Sequence, residues 1–206
     1  MVTLNQTTVI IPASGQSVRF GASNKLLSEL AGKPLAQHAI DCAANIGFSN
    51  KIAVIPRDKT ALWELFKAAG FDCIHNPAPE RGMGHSLALG AKACQTQRAV
   101  VMLADMPLVP TGHIHALLDA LGDNPVVFTQ SASVVHPPAA LGSVGLDALR
   151  HSDGDQGLRD WTVAAKTVAL DPALTQDIDT PESLDVVRRN WDVLYRQSLA
   201  ADVARR

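Results

Sequence analysis

Residues 8–27 have the sequence TVIIPASGQSVRFGASNKLL, in which a short apolar run leads into a loop of small residues. The run Thr8–Ile11 predicts a buried strand. The glycines and small side chains after it allow backbone N–H groups to approach the oxygens of an anionic ligand. Arg19 and Lys25 add two cations, and arginine can hold a phosphate group through two hydrogen bonds. This combination predicts a nucleoside triphosphate site at the end of the first strand.

The spacing of the glycines excludes two common kinds of phosphate-binding loop. A P-loop requires Gly, four residues and then Gly-Lys-Ser/Thr, and this loop lacks that ending. A dinucleotide-binding loop requires Gly-x-Gly-x-x-Gly, a pattern that Gly15 and Gly21 do not supply. The composition of the loop is equally compatible with an ordinary turn, so its assignment depends on features further along the chain.

Length and composition indicate one globular domain over residues 1–206. The chain has 47% hydrophobic and 18% charged residues, which is enough apolar material for a sizeable core. The formal net charge of −2 disfavours a nucleic-acid partner, whose binding surface would be basic. No apolar run could span a membrane, and no signal-peptide pattern is present. The three widely spaced cysteines, Cys42, Cys73 and Cys94, fit the reduced thiols of a cytoplasmic protein.

Short β-rich segments alternate with helical segments along most of the chain. The predicted strands are Thr8–Ile11, Lys51–Ile55, Asp72–His75, Ala99–Leu103, Val126–Thr129 and Thr167–Leu170. The predicted helices are Leu35–Ala44, Lys59–Ala69, Ser86–Gln95 and His113–Leu121. This alternation predicts an α/β fold with a doubly wound, mostly parallel sheet. Such sheets bind ligands beyond the carboxyl ends of their strands, where residues 12–25 and the residues after Leu103 fall.

The alternation weakens at about residues 130–157, where His136-Pro137-Pro138 and several glycines interrupt any regular pattern. We interpret this segment as an irregular excursion that covers the acceptor side of a site, with an irregular surface segment as the alternative. A helix is predicted to follow near the C-terminus. Thr180 would be its N-cap and Pro181 its first helical residue.

Two acidic segments are candidates for binding a metal ion. The apolar run Ala99–Leu103 predicts a central strand and leads into Asp105, where a carboxylate would meet the magnesium ion of a bound triphosphate. Asp177 and Asp179 precede the C-terminal helix. Each carboxylate also has a structural interpretation, because Asp105 is suited to a turn and Asp179 to the positive end of a helix dipole.

Five segments in order resemble the MobA-like NTP transferases, the nucleotidyltransferases that include the molybdenum-cofactor enzymes. They are PASGQSVRFGASNKLL at 12–27, GMGHSL at 82–87, DMP at 105–107, GDQGLR at 154–159 and DIDTPE at 177–182. Any one of these segments would be a weak signal, but their order and spacing match over about residues 7–190. Within this family the chain is most similar to the molybdenum cofactor cytidylyltransferases, which act on CTP and molybdopterin.

The resemblance implies a Rossmann-like, glycosyltransferase-A-like fold and a single nucleotidyltransferase domain. It implies that Arg19, Lys25 and Asp105 are the catalytic residues and that Mg²⁺ is the cofactor. The metal ligands would be Asp105 and Asp179, with Asp177 as the alternative to Asp179. The implied nucleotide-binding residues are Pro12, Ala13, Ser14, Gly15, Arg19, Lys25, Gly82, Gly84, Ser86 and Asp105.

The implied reaction moves CMP from CTP onto a phosphate monoester, molybdopterin, and releases pyrophosphate. The attacking phosphate oxygen is already ionised at neutral pH, since the second pKa of such a group is about 6. No general base is therefore needed, and catalysis would come from alignment and charge neutralisation. A molybdenum enzyme would be a further partner, as the client that receives the product.

Two features of the sequence bear on the identity of the base and of the acceptor. Guanine-using relatives tend to carry Gly-Gly where this chain has Ala13-Ser14-Gly15, which favours CTP over GTP. The segment around His136 is a poorer match to the family's Gly-x-Pro segment, so the resemblance specifies the nucleotide better than the acceptor. The alternatives are a guanylyltransferase, a sugar- or polyol-phosphate nucleotidyltransferase and, from another class, a nucleotide-binding chaperone for molybdenum-enzyme maturation.

Overall fold

The computed structural model describes residues 4–15, 18–20, 24–48, 50–154, 158, 161–163 and 165–203, so residues 16–17, 21–23, 155–157 and 159 of the quoted motifs lie outside it. The strands are β1 (Thr7–Pro12), β2 (Glu29–Leu30), β3 (Lys33–Pro34), β4 (Asn50–Ile55), β5 (Asp72–His75), β6 (Arg98–Val101), β7 (Val126–Ser131), β8 (Val134–Leu141) and β9 (Lys166–Ala169). The α-helices are α1 (Leu35–Ile46), α2 (Thr60–Ala68), α3 (Gly82–Ala93), α4 (Thr111–Leu121), α5 (Ser143–Arg150) and α6 (Pro181–Val203). None of these helices combines the length and the apolar character that crossing a bilayer would require.

The centre of the fold is a seven-stranded sheet with the order β5-β4-β1-β6-β8-β7-β9. Strands β5, β4, β1 and β6 pair in parallel, and so do β7 and β9. Strand β8 is antiparallel to both of its neighbours, β6 and β7. The predicted α/β fold with a mostly parallel sheet is therefore confirmed.

Successive residues of β1 point to opposite faces of the sheet, and both faces are covered. Val9 and Ile11 belong to a core that includes residues of α1, α2 and α4, whereas Ile10 belongs to a second core with residues of α3 and α5. All three side chains are fully buried. The apolar run that predicts a central strand is thus apolar because each face of the sheet packs against helices.

The segment at about 130–157 is more regular than the sequence predicts. It contains the end of β7, all of β8 and helix α5. Proline is unfavourable inside a central strand because it cannot donate to the ladder. Here the pairing register shifts between Phe128 and Thr129, and His136 pairs with Thr129 directly beyond the shift, so Pro137 and Pro138 fall in the irregularity. This local bulge explains how a proline pair that suggests a loop lies within the sheet.

Helix α6 begins where the sequence predicts. The Thr180 hydroxyl accepts a hydrogen bond from the Ser183 backbone N–H at 3.1 Å, which confirms Thr180 as the N-cap. The Ser183 hydroxyl accepts from the backbone N–H groups of Asp179 and Thr180, at 3.2 and 3.1 Å. This reciprocal pair is a capping box with serine at the third helical position. It fixes the path of the chain just before the helix, where Asp179 lies.

We predict that Gly90→Ala destabilises the fold by about 1–3 kcal/mol through overpacking. An added Cβ at Gly90 would lie 2.5 Å from Ile10 Cγ2 and 3.2 Å from Val54 Cγ2, so α3 could no longer pack as closely on β1 and β4. Helix propensity alone would favour alanine by about 1 kcal/mol. Urea unfolding measures the difference, with the exposed Lys92→Ala of the same helix as control. A Gly90→Ala protein as stable as the control would contradict this packing account.

Candidate functional site

A cleft of about 550 Å³ lies at the carboxyl edge of the parallel strands, between the ends of β1 and β6, the start of α3 and the segment before α6. Every residue that the sequence predicts to bind nucleotide or metal lines this cleft except Gly84. Asp177, the alternative metal ligand, lines it as well. The volume falls within the range usual for small-molecule sites. The structure therefore brings motifs that are widely separated in the chain into one cavity.

The loop after β1 is held against the neighbouring strand β4. The backbone N–H of Ala13 and the hydroxyl of Ser14 both donate to the carbonyl oxygen of Val54, each at 2.9 Å. Ser14 is buried, and its hydroxyl is committed to the scaffold. The Gly15 carbonyl accepts a hydrogen bond from Lys59 Nζ at 2.7 Å, a contact that sequence reasoning missed. These bonds fix the backbone of the loop on the wall of the cleft.

Lys25 begins a short 3-10 turn that holds its side chain in place. The Asn24 side chain caps this turn by accepting a hydrogen bond from the Leu26 backbone N–H at 3.1 Å. The side chain of Leu26 is buried in the core that covers one face of the sheet. With the cap on one side and the apolar anchor on the other, Lys25 points into the cleft.

The Lys25 ammonium lies between two carboxylates. Its Nζ is 2.6 Å from Asp105 Oδ2 and 2.6 Å from Asp179 Oδ1. Arg19 Nη2 is 3.1 Å from Asp179 Oδ2, and the Arg19 side chain is 68% exposed. Lys25 and Asp105 are much less accessible, with 11% and 19% of their side chains exposed. The cleft floor is therefore a partly buried cluster of two cations and two anions.

The burial and pairing of these groups shift their pKa values. Burial raises the pKa of Asp105 above its ordinary range, and the nearby Lys25 ammonium offsets only part of that effect. The hydrogen bond from Lys25 lowers the pKa of Asp179 despite partial burial, and Arg19 adds to this effect. Burial would lower the pKa of Lys25, but the two carboxylates together outweigh it and raise that pKa. The ion cluster is thus held by mutual compensation of charge.

A backbone hydrogen bond brings the two acidic segments together. The N–H of Ile178 donates to the carbonyl oxygen of Asp105 at 3.0 Å, and the Ile178 side chain is fully buried. Asp177 and Asp179 flank this tether, so both carboxylates line the cleft beside Asp105. Asp177 is exposed, whereas Asp179 is the one that contacts Lys25.

The segment Gly82–Ser86 is helical, whereas the predicted helix begins only at Ser86. It forms the first turn of α3, which begins four residues before the predicted helix. Gly82 and Ser86 line the cleft. Gly84 does not, and its backbone N–H donates to the Gly154 carbonyl at 2.8 Å. Glycine is a poor helix former, so local propensity does not predict this helical turn. The hydrogen bond with Gly154 helps to stabilise it.

Ser86 has a buried polar neighbour that sequence reasoning missed. Asn76 Nδ2 donates to Ser86 Oγ at 3.0 Å, and Asn76 is only 1% exposed. Asn76 follows directly after β5, at the carboxyl edge where such sheets bind ligands. A polar residue directly after a predicted strand is the signal that could have indicated it.

The carboxylates of the cleft suit a hard divalent cation. Among the described residues, no group of three His, Cys, Asp or Glu side chains could hold a metal unaided. Mg²⁺ typically uses one or two carboxylates together with substrate phosphates and waters. Asp105 and Asp179 both contact the Lys25 ammonium, so the space between the two carboxylates already accommodates a positively charged group. The donor set therefore fits a metal that arrives with a phosphate ligand.

We predict that Lys25→Met lowers the free energy of unfolding by about 3 kcal/mol at pH 7, because it leaves the buried Asp105 carboxylate without its cation. Without Lys25 the pKa of folded Asp105 rises further. The folded variant then binds a proton that the unfolded chain has lost, so its stability falls as the pH rises and the deficit shrinks towards pH 4. Urea unfolding from pH 4 to pH 8 measures this dependence.

The matched control is Lys33→Met, which removes the half-exposed ion pair between Lys33 and Asp41. Solvent screens that pair, so its loss should cost less than about 1 kcal/mol at any of these pH values. A Lys25 deficit that does not change with pH would contradict the assignment of Asp105 as the responsible group.

Comparisons with known proteins agree with this architecture. Residues 9–168 match the family described as the MobA-like NTP transferase domain. The chain is 28% identical over 198 residues to the purine catabolism protein PucB of Bacillus subtilis (strain 168), which covers 86% of this chain and 93% of PucB.

Solved structures share the fold. Rv0371c from Mycobacterium tuberculosis H37Rv superposes with a TM-score of 0.80 at 21% identity, over 90% of this chain and 99% of that one. Its manganese complex gives a TM-score of 0.75 at 19% identity, with the same coverage. Molybdopterin-guanine dinucleotide biosynthesis protein A from Archaeoglobus fulgidus gives 0.66 at 16% identity, over 90% and 99% of the two chains. The match to the family spans well over half of the sequence, and this chain therefore belongs to the MobA-like NTP transferase family.

Proposed function

We propose that this protein is a cytidylyltransferase that moves CMP from CTP onto a phosphate monoester, with molybdopterin as the acceptor. The observation that carries the proposal is the cluster of Arg19, Lys25, Asp105 and Asp179 in a cleft at the carboxyl edge of the sheet. Cations beside paired carboxylates are what a metal-bound triphosphate requires. Membership of an NTP transferase family supports this assignment.

The reaction requires little acid–base chemistry from the protein. An ionised phosphate oxygen of the acceptor attacks the α-phosphorus of CTP, a new P–O bond forms, and the bond to the β-phosphate oxygen breaks. The leaving pyrophosphate takes the electron pair of that bond. The nucleophile is already deprotonated near neutral pH. The protein therefore acts by holding both reactants in line, which can contribute about 7–11 kcal/mol, and by neutralising charge.

The residues in the cleft fit a divalent cation, and Mg²⁺ is the proposed cofactor. Asp105 and Asp179 would hold it, with Asp177 as the alternative to Asp179. When bound, the ion would neutralise charge on the triphosphate. The manganese complex of the mycobacterial relative supports the use of a divalent metal in this fold.

Lys25 and Arg19 have a proposed role on the triphosphate. In the structure Lys25 neutralises the carboxylates that a metal would otherwise neutralise. With a metal ion on those carboxylates, the Lys25 ammonium would donate to a phosphate oxygen of the triphosphate instead. Arg19 is mostly exposed and can turn from Asp179 to phosphate with little loss of packing. Both cations then stabilise charge on the departing pyrophosphate.

The nucleotide base is proposed to bind between the backbone of Pro12–Gly15 and the first turn of α3. The loop carries Ala13-Ser14 where a smaller Gly-Gly would give a purine more room, which favours CTP. Guanylyl transfer is the second candidate, because one structural relative is a molybdopterin-guanine dinucleotide biosynthesis protein. A chaperone role would need the same nucleotide site but no pyrophosphate release.

We predict that Asp105→Asn lowers kcat by at least about 10³-fold, since a lost electrostatic contact in a preorganised site typically costs this much. The change is isosteric, so the fold should survive, as judged by circular dichroism and the urea midpoint. Pyrophosphate release with CTP, Mg²⁺ and molybdopterin measures the effect. Asp147→Asn, at an exposed position of α5, is the control. Near-normal turnover of the Asp105 variant would show that Asp105 is only a turn residue.

We predict that CTP binds more tightly than GTP when Mg²⁺ is present. A buried site built for the hydrogen-bonding groups of one base leaves some of them unpaired with another, which can cost factors of up to about 10⁴. Competition of unlabelled CTP and GTP against a fluorescent CTP analogue measures the preference. Equal or tighter GTP binding would favour the guanylyl alternative and leave the fold and metal assignments unchanged.

A further inference from the structure

Asn76 controls which way the Ser86 hydroxyl can point. The Asn76 side-chain oxygen accepts a hydrogen bond from the Ala78 backbone N–H at 2.9 Å, which fixes the orientation of the amide. Its NH₂ group must then face Ser86, where Nδ2 lies 3.0 Å from Oγ. The Asn76 backbone N–H donates to the Ile55 carbonyl at 3.1 Å, so the whole residue is tied to the sheet.

This arrangement makes Ser86 an acceptor on its buried side. A serine hydroxyl has one hydrogen to donate and two lone pairs, and here one lone pair receives the Asn76 amide. Among the described residues, no hydrogen-bond acceptor is found for the Ser86 hydroxyl hydrogen, although Ser86 is only 2% exposed and lines the cleft. The hydrogen is therefore available to a ligand in the cleft.

We propose that Asn76 is a positioning residue that fixes Ser86 as a hydrogen-bond donor to an acceptor-only group of the nucleotide base, such as a ring nitrogen or a carbonyl oxygen. The inference rests on the proposed nucleotide site. It adds that Ser86 is the donor, and the base the acceptor, in one hydrogen bond of that site. Cytosine offers such acceptors at N3 and O2. A ribose hydroxyl would also accept this bond, but it can equally donate one. A variant in which Ser86 can only accept therefore distinguishes a base group from a ribose hydroxyl.

The test reverses the polarity without changing the shape. In Asn76→Asp, one carboxylate oxygen still accepts from Ala78, and the other accepts from the Ser86 hydroxyl. Ser86 then presents only lone pairs to the cleft, where an acceptor-only base group repels it. We expect CTP affinity, measured by titration calorimetry at pH 8.5, to fall about tenfold or more. The loss should shrink at pH 6 as the acid takes up a proton and donates to Ser86 again.

A double-mutant cycle separates positioning from a general structural role. Ser86→Ala alone should also weaken CTP binding about tenfold, and it should add little when Asn76 is already Asp, because both changes remove the same hydrogen bond. Asn124→Asp is the matched control, since its amide donates to the Leu121 carbonyl away from the cleft. Independent, additive losses would overturn the proposal. A second result would also overturn the proposal: Ser86→Ala weakens CTP binding, but Asn76→Asp leaves CTP affinity unchanged at both pH values. Only a hydroxyl group of the ligand can accept from Ser86 in one case and donate to it in the other.

Binding of inorganic tripolyphosphate keeps the test decisive if Asn76→Asp does not fold. Ser86→Ala should leave the affinity for this base-free probe unchanged while it weakens CTP binding, and an equal loss for both would overturn the proposal. Failure of the proposed nucleotide site gives a different result, because the unaltered protein would then bind none of the four NTPs. Normal NTP binding that neither Asn76 nor Ser86 affects would overturn only this inference.

Discussion

The ion cluster around Lys25 is the constraint on which the arrangement of the cleft depends. One ammonium group bridges Asp105 and Asp179, which are 80 and 154 residues away in sequence. Placing Asp105 at the end of a buried strand costs solvation energy, and that cost is tolerable only if a cation is close by. The structure supplies this cation from a turn that is capped by Asn24 and anchored by Leu26. Charge compensation therefore holds three segments that are distant in sequence together at the floor of the cleft.

Backbone hydrogen bonds fix the positions of the chain segments around this cluster. The carbonyl oxygen of Val54 in β4 accepts two hydrogen bonds from the loop after β1 and so holds that loop in place. Asp105 holds the segment before α6 through the Ile178 N–H, and the capping box of Thr180 and Ser183 fixes the next residues. These contacts join strand ends and helix starts, so they fix the backbone on which Asp105 and Asp179 lie. Preorganisation of this kind is what a reaction that needs alignment rather than acid–base chemistry requires.

Local signals were sufficient to predict the bounds of some elements. The strand Asp72–His75 was predicted with its observed bounds, and the first helix started at Leu35 as predicted. They failed where tertiary contacts outweighed propensity. Pro137 and Pro138 suggest a loop, yet the bulge beside Thr129 accommodates them within the sheet. Gly82 and Gly84 likewise suggest a loop but form a helical turn, whose N–H at Gly84 is satisfied by Gly154, far along the chain.

The sequence by itself determined the fold class, because alternating apolar runs and helical segments specify buried strands covered by helices. Its motifs indicated the family and most of the charged side chains that line the cleft. It could not determine how those side chains pair. That Lys25 bridges Asp105 and Asp179, that Ser14 donates to Val54, and that Asn76 orients Ser86 are all consequences of tertiary structure. The physical reason is that each pairing joins residues from different elements. Their distance is set by strand order and helix packing, which no local pattern encodes.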